Sequence, residues 1–560
     1  MTTLARSLPD RLRPFIPHTR EEARRFASFL VAVVVLNVLF NLRFPSGELH
    51  FWYFLPSIDV AMILAAFVLV GAQRWRVPKA VHWVLAAIVC LARVLRFGDG
   101  IQGRYFAQRF SLYDLAMFPE GVRFAHSALP AWKFYAALFA AAVLLLALPI
   151  VAYYSLRTAE EYLRDLNRAP LVAALALAAF GIGLVQPRKA HHRPPLFTGG
   201  FGSSIVPRFK GEARFLLSIY ADRGKWARAI REANARLAGT PSNLVKLERK
   251  NVHLILVESY GVVVVERPDF VKTIGPTFSA IESELGALGY SIASGRLIST
   301  TFGGKSWFAH STLATAVPVT DQLAFDTVMA VKPKVISGFF RAAGYHTVLA
   351  APGVTRKGTR GDLYRFDKTY RYVDFDYAGP AFAWATMPDQ FVFDTIRRRE
   401  LARPPSAPLF IQYVLVSSHA PWSETPTIVE DWSKLQNGAL FDMQPVLRFP
   451  IVWPNFTRAH EAYVRSVVYD FEVIKRYVER FLNDDSLVIV LGDHQPVVEI
   501  SGDEGARGVP VHVFSKNKAF VEAFLRRGYV PGMWPNGTTP PRGMETFLPD
   551  LLRDFSTASP

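Results

Sequence analysis

The segment LVIVLGDHQP spans Leu487 to Pro496 and couples an apolar run to a polar turn. Leu487, Val488, Ile489 and Val490 are apolar and largely β-branched, which predicts a strand buried on both faces. Gly492 lets the chain turn sharply before Asp493 and His494. An acid and an imidazole therefore leave the C-terminal end of a core strand together, where open α/β sheets hold their ligands. A carboxylate oxygen and a neutral imidazole nitrogen suit a divalent metal such as zinc or manganese. Taken alone, the same residues also read as a capping Asp and a surface His in a tight turn.

Outward from this segment, short apolar runs alternate with helical stretches from about residue 250: VHLILVES, YHTVLAA, PLFIQYVLVSS, SLVIVLGDH and VPVHVFS. Strands separated by helices predict an α/β layer structure with a mostly parallel sheet. Residues 250–530 are long enough for one domain with its own core, leaving 531–560 as a C-terminal tail. The sequence shows no internal repeat in the range of roughly 20 to 50 residues.

Three further strand ends carry polar groups. Glu258 closes VHLILVES, His419 follows PLFIQYVLVSS, and His512 lies inside VPVHVFS. Each has a plainer reading: a helix cap, a satisfied loop histidine and a hydrogen-bonded core histidine respectively. The nucleophile candidate is Ser306 in STTFGGKSWFAHSTLATA. Gly303 and Gly304 free the backbone, and the following residues run as a helix with Ser306 at its N-terminus, where exposed N–H groups favour a phosphate. A serine hydroxyl beside a cation is a competent nucleophile because its pKa falls; a plain N-cap serine is the alternative. Lys305 is placed to steady phosphate charge, and His310, one turn on, faces the same side as Ser306. Both also read as peripheral residues.

Composition adds a membrane. The chain has 560 residues, 51% of them hydrophobic, and 64 basic against 47 acidic residues, a net charge of +17. A mean hydropathy of +0.17 is high for a purely soluble protein. The arginines are scattered, with no basic block interleaved with aromatics, which fits anionic lipid rather than nucleic acid. The single Cys90 excludes a disulfide framework and a cysteine metal site. After a basic head (1–25), five apolar runs at about 26–42, 53–72, 80–95, 134–154 and 170–186 approach the ~20 residues that span a bilayer. They predict a five-helix transmembrane domain over 26–186. Loop charge places the N-terminus inside, with Arg74, Arg76, Lys79, Arg157, Arg164 and Arg168 cytoplasmic, so an odd number of spans sends the later chain outside. Arg104, Arg109, Arg123, Arg188 and Lys189 stand on the opposite side and weaken the bias. Residues 187–249 read as a juxtamembrane linker with solvated His191 and His192, followed by an amphipathic helix.

The motifs NVHLILVESYG, GGKSWFAHSTLATA, RGDLYRFDKTY, SSHAPW and LGDHQP, in this order behind five apolar runs, resemble the sulfatase-like branch of the alkaline phosphatase superfamily. Within it they resemble the membrane phosphoglycerol and phosphoethanolamine transferases of the lipoteichoic acid synthase type. The resemblance covers roughly residues 250–520 and implies an alkaline-phosphatase-like α/β/α domain. It also implies a divalent metal (Mn, Mg or Zn) held by Glu258, Ser306, Asp493 and His494, with Ser306 as nucleophile. Phosphate or substrate contacts are implied for His419 and Arg360. The activity it implies is transfer of a phospholipid headgroup, through a covalent serine intermediate, to a glycan or lipid of the cell envelope, at the plasma membrane with the catalytic domain extracytoplasmic.

The sequence departs from the family in several places. Those transferases usually have threonine where Ser306 stands, which also presents a hydroxyl. SWFAH lacks the C/S-x-P-x-R context of true sulfatases, which disfavours sulfate ester cleavage. Lipoteichoic acid synthases carry a histidine and a tryptophan near the positions of Ala351 and Gly358, and the ethanolamine enzymes carry outer-domain disulfides that this chain lacks. His512 lies outside the single-metal pattern and is open to a second metal or to substrate. A phosphodiesterase or phosphatase with water as acceptor, and an inactive membrane-anchored binding module, are the alternatives.

Overall fold

The computed structural model describes residues 19–42, 57–106, 108–119, 122, 126, 131–164, 205–354, 364–382, 385–402, 407–449, 458–482, 485–502 and 506–557. The chain divides into two compact units, one of Met1–Arg104 with Gln108–Ser218, the other of Tyr105–Ala107 with Ile219–Pro560.

In the first unit, four of the five predicted runs fall on helices: α1 Arg20–Asn41, α2 Ile58–Ala72, α3 Lys79–Phe106 and α4 Ala131–Leu163. Stretches of α1, α3 and α4 are long and apolar enough to cross a membrane, whereas α2 is a shorter apolar helix of 15 residues. The fifth run, 170–186, lies outside the described residues, as do His191 and His192. Arg93 does not interrupt the third run. It sits inside α3, and its guanidinium donates to the carbonyl of Leu42. Phe29, Val33, Leu36 and Phe40 of α1 form a stripe at helical spacing that packs with Val60 and Leu64 of α2, Val89 of α3 and Leu156 of α4. Elsewhere the helices turn apolar side chains outward, among them Leu144, Leu145 and Leu146 of α4. An aqueous surface this apolar is costly, and a lipid one is not.

The second unit is built on a nine-stranded sheet. Its strands are β1 Val252–Val257, β2 Ser291–Ile298, β3 His346–Ala351, β4 Lys368–Arg371, β5 Leu409–Val414, β6 Leu487–Gly492, β7 Gly508–Ser515, β8 Val530–Pro531 and β9 Arg542–Gly543. The order is β8-β2-β7-β6-β1-β5-β3-β4, with β9 also on β2. Strands β6, β1, β5, β3 and β4 run parallel, and β7 and β2 join antiparallel. All six residues of β1 and of β6 are buried, so consecutive side chains on opposite faces are both covered, as a central parallel strand requires. All five predicted strands are present. β2, SIASGRLI, escaped notice because Gly295 and three polar residues break its apolar pattern. The Gly is needed there: a Cβ on Gly295 would meet the Tyr529 ring at 2.5 Å.

Two helices supply much of the cover. In α6, Pro268–Ala287, the buried Phe270, Ile274, Phe278, Ile281 and Leu285 recur every three or four residues. α9, Ala459–Phe481, presents Tyr463, Val467, Phe471, Ile474 and Tyr477 in the same way, and both stripes enter one core with Ile255 and Val490. The predicted amphipathic helix is longer than expected, α5 Val206–Ala238, and buries Trp226, Ile230, Ala233 and Leu237 along one face.

Residues 531–557, placed in a tail by the sequence, carry regular structure. β8 and β9 pair with β2, and a C-terminal helix, Phe547–Phe555, buries Phe547, Leu548, Leu551, Leu552 and Phe555. The Pro and Gly residues before it made this stretch look irregular, but the helix is strongly amphipathic and closes the fold.

Candidate metal centre and nucleophile

Strand register brings the acid pair together. β1 and β6 are parallel and their last paired residues are Val257 and Gly492, so Glu258 and Asp493 leave adjacent strands at the same level. Between them the backbones nearly touch: a Cβ on Gly492 would lie 1.7 Å from the carbonyl oxygen of Tyr260. Gly492 is therefore required by close approach, rather than by the unusual turn angle the sequence suggested.

Asp493 is anchored through one oxygen. Its Oδ1 accepts the backbone N–H of Ser259 at 2.8 Å and that of His494 at 2.7 Å, and the Ser299 hydroxyl donates to the Asp493 carbonyl at 2.5 Å. Its Oδ2 is buried with no hydrogen-bond donor. His494 turns Nδ1 to the carbonyl of Gln495 at 2.7 Å, which makes Nδ1 the donor and leaves Nε2 facing Glu258 Oε1 at 3.1 Å and Asp493 Oδ2 at 3.7 Å. Ligand atoms of Glu258, Asp493 and His494 all lie within 4.8 Å of one another, and all three residues are buried.

Ser306 arrives from the other side of the sheet edge. Gly303 (φ 69°) and Gly304 (φ 144°) take the conformations only glycine adopts freely, and helix α7, Ser306–Thr315, begins at the serine. The Ser306 hydroxyl donates to Glu258 Oε2 at 2.9 Å and lies 3.1 Å from His494 Nε2. Lys305 and Ser259, which flank Ser306 and Glu258, hold φ of 58° and 57°, a left-handed conformation that costs a non-glycine residue about 1 kcal/mol or more. The fold holds both ligand-bearing corners in strained backbone.

The electrostatics favour a cation. Burial alone would lower the His494 pKa, but the Asp493 charge and the Glu258 hydrogen bond raise it to about 9. Burial would raise Glu258, yet the His494 charge and hydrogen bond hold it far below the ordinary carboxylate range. A field that retains a proton on a fully buried imidazole also attracts a metal ion. The orphaned Asp493 Oδ2, the Glu258 carboxylate and His494 Nε2, which converge within 4.8 Å, fit a divalent cation, so the residues present suit the metal the motifs implied.

The remaining predicted residues divide. The His419 ring interacts electrostatically with Glu258, His494 and Asp493, and burial lowers its pKa, which favours a neutral imidazole beside the cluster. The loop carrying it is clamped: Asp389 accepts the N–H groups of Val416 (3.0 Å) and Ser417 (2.7 Å), and the Ser418 hydroxyl donates to the Glu258 carbonyl at 2.7 Å. Lys305 stands next to Ser306, its ammonium 5.8 Å from the centre of the Phe308 ring. Arg360 lies outside the described residues. His512 is not brought to the cluster. It is fully buried, with Nε2 2.8 Å from the Tyr260 hydroxyl and Nδ1 2.7 Å from that of Ser294, among the rings of Tyr260, Phe278 and Phe471. Both nitrogens are occupied and desolvation drives its pKa down to about 3, the properties of a neutral core histidine. His310, which the sequence left among peripheral possibilities, does reach the cluster, with Nε2 3.5 Å from Asp493 Oδ2.

Residues 314–547 match the Sulfatase family model. No curated protein matches. Among solved structures, the chain is similar to the lipoteichoic acid synthase LtaP from Listeria monocytogenes, at 16% identity over 59% of this chain and 80% of that one, with a TM-score of 0.37. It is also similar to the Streptococcus pyogenes phosphoglycerol transferase GacH in complex with sn-glycerol-1-phosphate (15%, 60% and 91%, TM-score 0.36). A third is the C-terminal periplasmic domain of EcEptC from Escherichia coli in complex with Zn (15%, 50% and 74%, TM-score 0.32). The family match takes in β6 and its Asp493–His494 pair, while Glu258 and Ser306 lie outside the matched residues.

Proposed function

We propose that the protein is a membrane phosphotransferase that moves a phospholipid headgroup, of the phosphoglycerol or phosphoethanolamine type, through Ser306 to a glycan or lipid of the cell envelope. The observation that carries this reading is the Ser306 hydroxyl at the start of a helix, 2.9 Å from Glu258 Oε2 and 3.1 Å from His494 Nε2. Divalent metal bound by Glu258, Ser306, Asp493 and His494 supplies positive charge that lowers the serine pKa and offsets charge on the phosphoryl group. The hydroxyl proton departs toward Glu258 as Oγ attacks phosphorus. The bond from phosphorus to the diacylglycerol oxygen breaks, and that oxygen takes up the proton that Glu258 received. An acceptor hydroxyl then attacks phosphorus, the bond to Ser306 breaks, and the acceptor's proton restores the serine hydroxyl. N–H groups at the start of α7 face the phosphate, Lys305 adds charge beside it, and His419 and Arg360 orient the headgroup.

In the same reading the basic head (1–25) is cytoplasmic, five spans cover 26–186, and residues 187–249 link them to an extracytoplasmic catalytic domain. Apolar helices α1, α3 and α4 support the anchor, which keeps the site near lipid donors. The test incubates the detergent-solubilised chain with phosphatidylglycerol or phosphatidylethanolamine, with and without envelope glycan. Diacylglycerol release accompanied by headgroup on the acceptor supports transfer. Free headgroup phosphate as the sole product makes water the acceptor and the protein a phosphodiesterase, and no turnover with either lipid leaves a binding module.

A further inference from the structure

A cleft of about 360 Å³ in the second unit takes no part in the metal centre. Three consecutive arginines line it, Arg397, Arg398 and Arg399, directly after helix α8, Asp389–Ile396. Asp389, at the other end of that eight-residue helix, holds the His419 loop, so the arginines stand about 12 Å away along its axis. The chain does not continue there as an α-helix. The N–H of Ala402 bonds to the carbonyl of Arg397, five residues back, at 3.0 Å, and this wider turn spreads successive side chains over a smaller angle. Three cations are thereby kept toward one side, in a kind of turn that is rare and recurs at functional sites. Two more lining residues, Asp376 (φ 54°) and Gln436 (φ 36°), hold left-handed backbone, a strain that clusters at ligand sites.

The guanidinium groups are positioned but not used up. Arg397 Nη2 and Arg398 Nε each donate to the buried Asp394 at 2.7 Å, Arg398 Nη2 donates to the Gln436 carbonyl at 2.7 Å, and Arg399 Nη2 donates to Asp376 at 2.9 Å. Nη1 of Arg397 and Nη1 of Arg398 keep no acceptor among the described residues. Arg397 also lies over the Phe481 ring at 4.5 Å, and that ring packs on Trp432 at 5.1 Å, which fixes the fork. Trp432 is buried, lines the same cleft, and has no acceptor for its indole N–H. The three arginines share two carboxylates, Asp394 and Asp376, which leaves one positive charge over. Spare N–H donors on a rigid cationic frame suit a tetrahedral oxyanion, which accepts several at once. We propose that this cleft binds a phosphate group, as an anion site separate from the metal centre. It goes beyond the transfer reading, and it holds whether or not Ser306 is the nucleophile.

The test is equilibrium dialysis of radiolabelled inorganic phosphate, and separately of glycerol phosphate, against the full chain in detergent. Asp493→Ala with chelator is the parent throughout, so that the metal centre contributes nothing. Saturable binding is expected, weakened at least about tenfold by adding Arg398→Gln and about threefold or more by adding Trp432→Phe. Arg398→Lys, which keeps the charge but not the fork, should fall between Arg398→Gln and the parent. Tighter binding of the ester assigns the site to an esterified headgroup or acceptor, and tighter binding of the ion assigns it to free phosphate; both support the site. No binding by the parent, or binding unchanged in both Arg398→Gln and Trp432→Phe, would overturn it. Should Arg398→Gln fail to fold, Trp432→Phe, which keeps an aromatic ring in place, decides alone, and unchanged binding there overturns the site. Neither result bears on Ser306, because the metal centre is disabled in every arm.

Discussion

Asp389 and Asp470 make a sharp test of how the His419 loop is held. Both are fully buried. Asp389 opens helix α8, Asp389–Ile396, and spends its oxygens on the N–H groups of Val416 and Ser417. Asp470, on α9, faces Asp389 and the Ser418 hydroxyl. Burial raises both pKa values, Asp389 to about 6 and Asp470 well above its ordinary value because the Asp389 charge adds to desolvation. Burial and the neighbouring Asp389 charge therefore favour the protonated form of Asp470. The sign follows from linkage. A carboxyl whose folded pKa lies above the unfolded one stabilises fully below the unfolded value, near 4, and that contribution is lost as pH rises toward the folded value. Above the unfolded value the Asp470 contribution declines as pH rises. Asp470→Asn retains the shape and an N–H donor but cannot titrate. Its stability relative to wild type should rise from pH 5 to pH 7, whatever the offset at pH 5. Pulse proteolysis of the solubilised chain in urea measures this. Parallel stability curves for the two proteins would show that Asp470 ionises normally and that the carboxyl pair does not share a proton.

Other consequences are as direct. Gly492→Ala places a methyl 1.7 Å from the Tyr260 carbonyl, so it should cost about 3 kcal/mol or more and weaken metal binding, measured by urea midpoint and metal content. A variant as stable and as metal-loaded as wild type would contradict the close approach of the β1 and β6 exits. His512→Leu leaves the Tyr260 hydroxyl without its partner and should cost about 1–3 kcal/mol with metal stoichiometry unchanged; loss of metal at full stability would return His512 to the site. A periplasmic-active reporter fused after Pro560 should be active, and activity only of a cytoplasmic reporter would reverse the topology.

The fold was legible where one residue type repeats for one reason. Central parallel strands are apolar on both faces, so β1 and β6 could be read from composition alone, and the carboxylate, imidazole and serine beyond them stood out against it. β2 was hidden because its edge of the sheet is antiparallel and Gly295 makes room for Tyr529. The C-terminal strands were hidden because two-residue pairings carry no period. The site's ligands were visible as strand ends and a glycine-flanked helix start, but their convergence depends on the pairing of Val257 with Gly492, which no local pattern encodes. His512 misled for the same reason: a histidine in a strand reads identically whether its nitrogens meet substrate or, as here, Tyr260 and Ser294. The Asp389 clamp joins residues 27 and 28 positions apart and is supported by α9, so it had no sequence signal at all.

The central claim is that Ser306 becomes covalently bonded to the donor's phosphate. The most direct measurement is peptide mass spectrometry of the full chain, acid-quenched during turnover with a phospholipid donor in the absence of acceptor. The account predicts a headgroup-phosphate adduct on the peptide containing Ser306, absent in Ser306→Ala, which should retain its fold and most of its metal while losing turnover, and present at a lower level in Ser306→Thr. An adduct on another residue, or full turnover by Ser306→Ala, would contradict it and make an activated water the nucleophile.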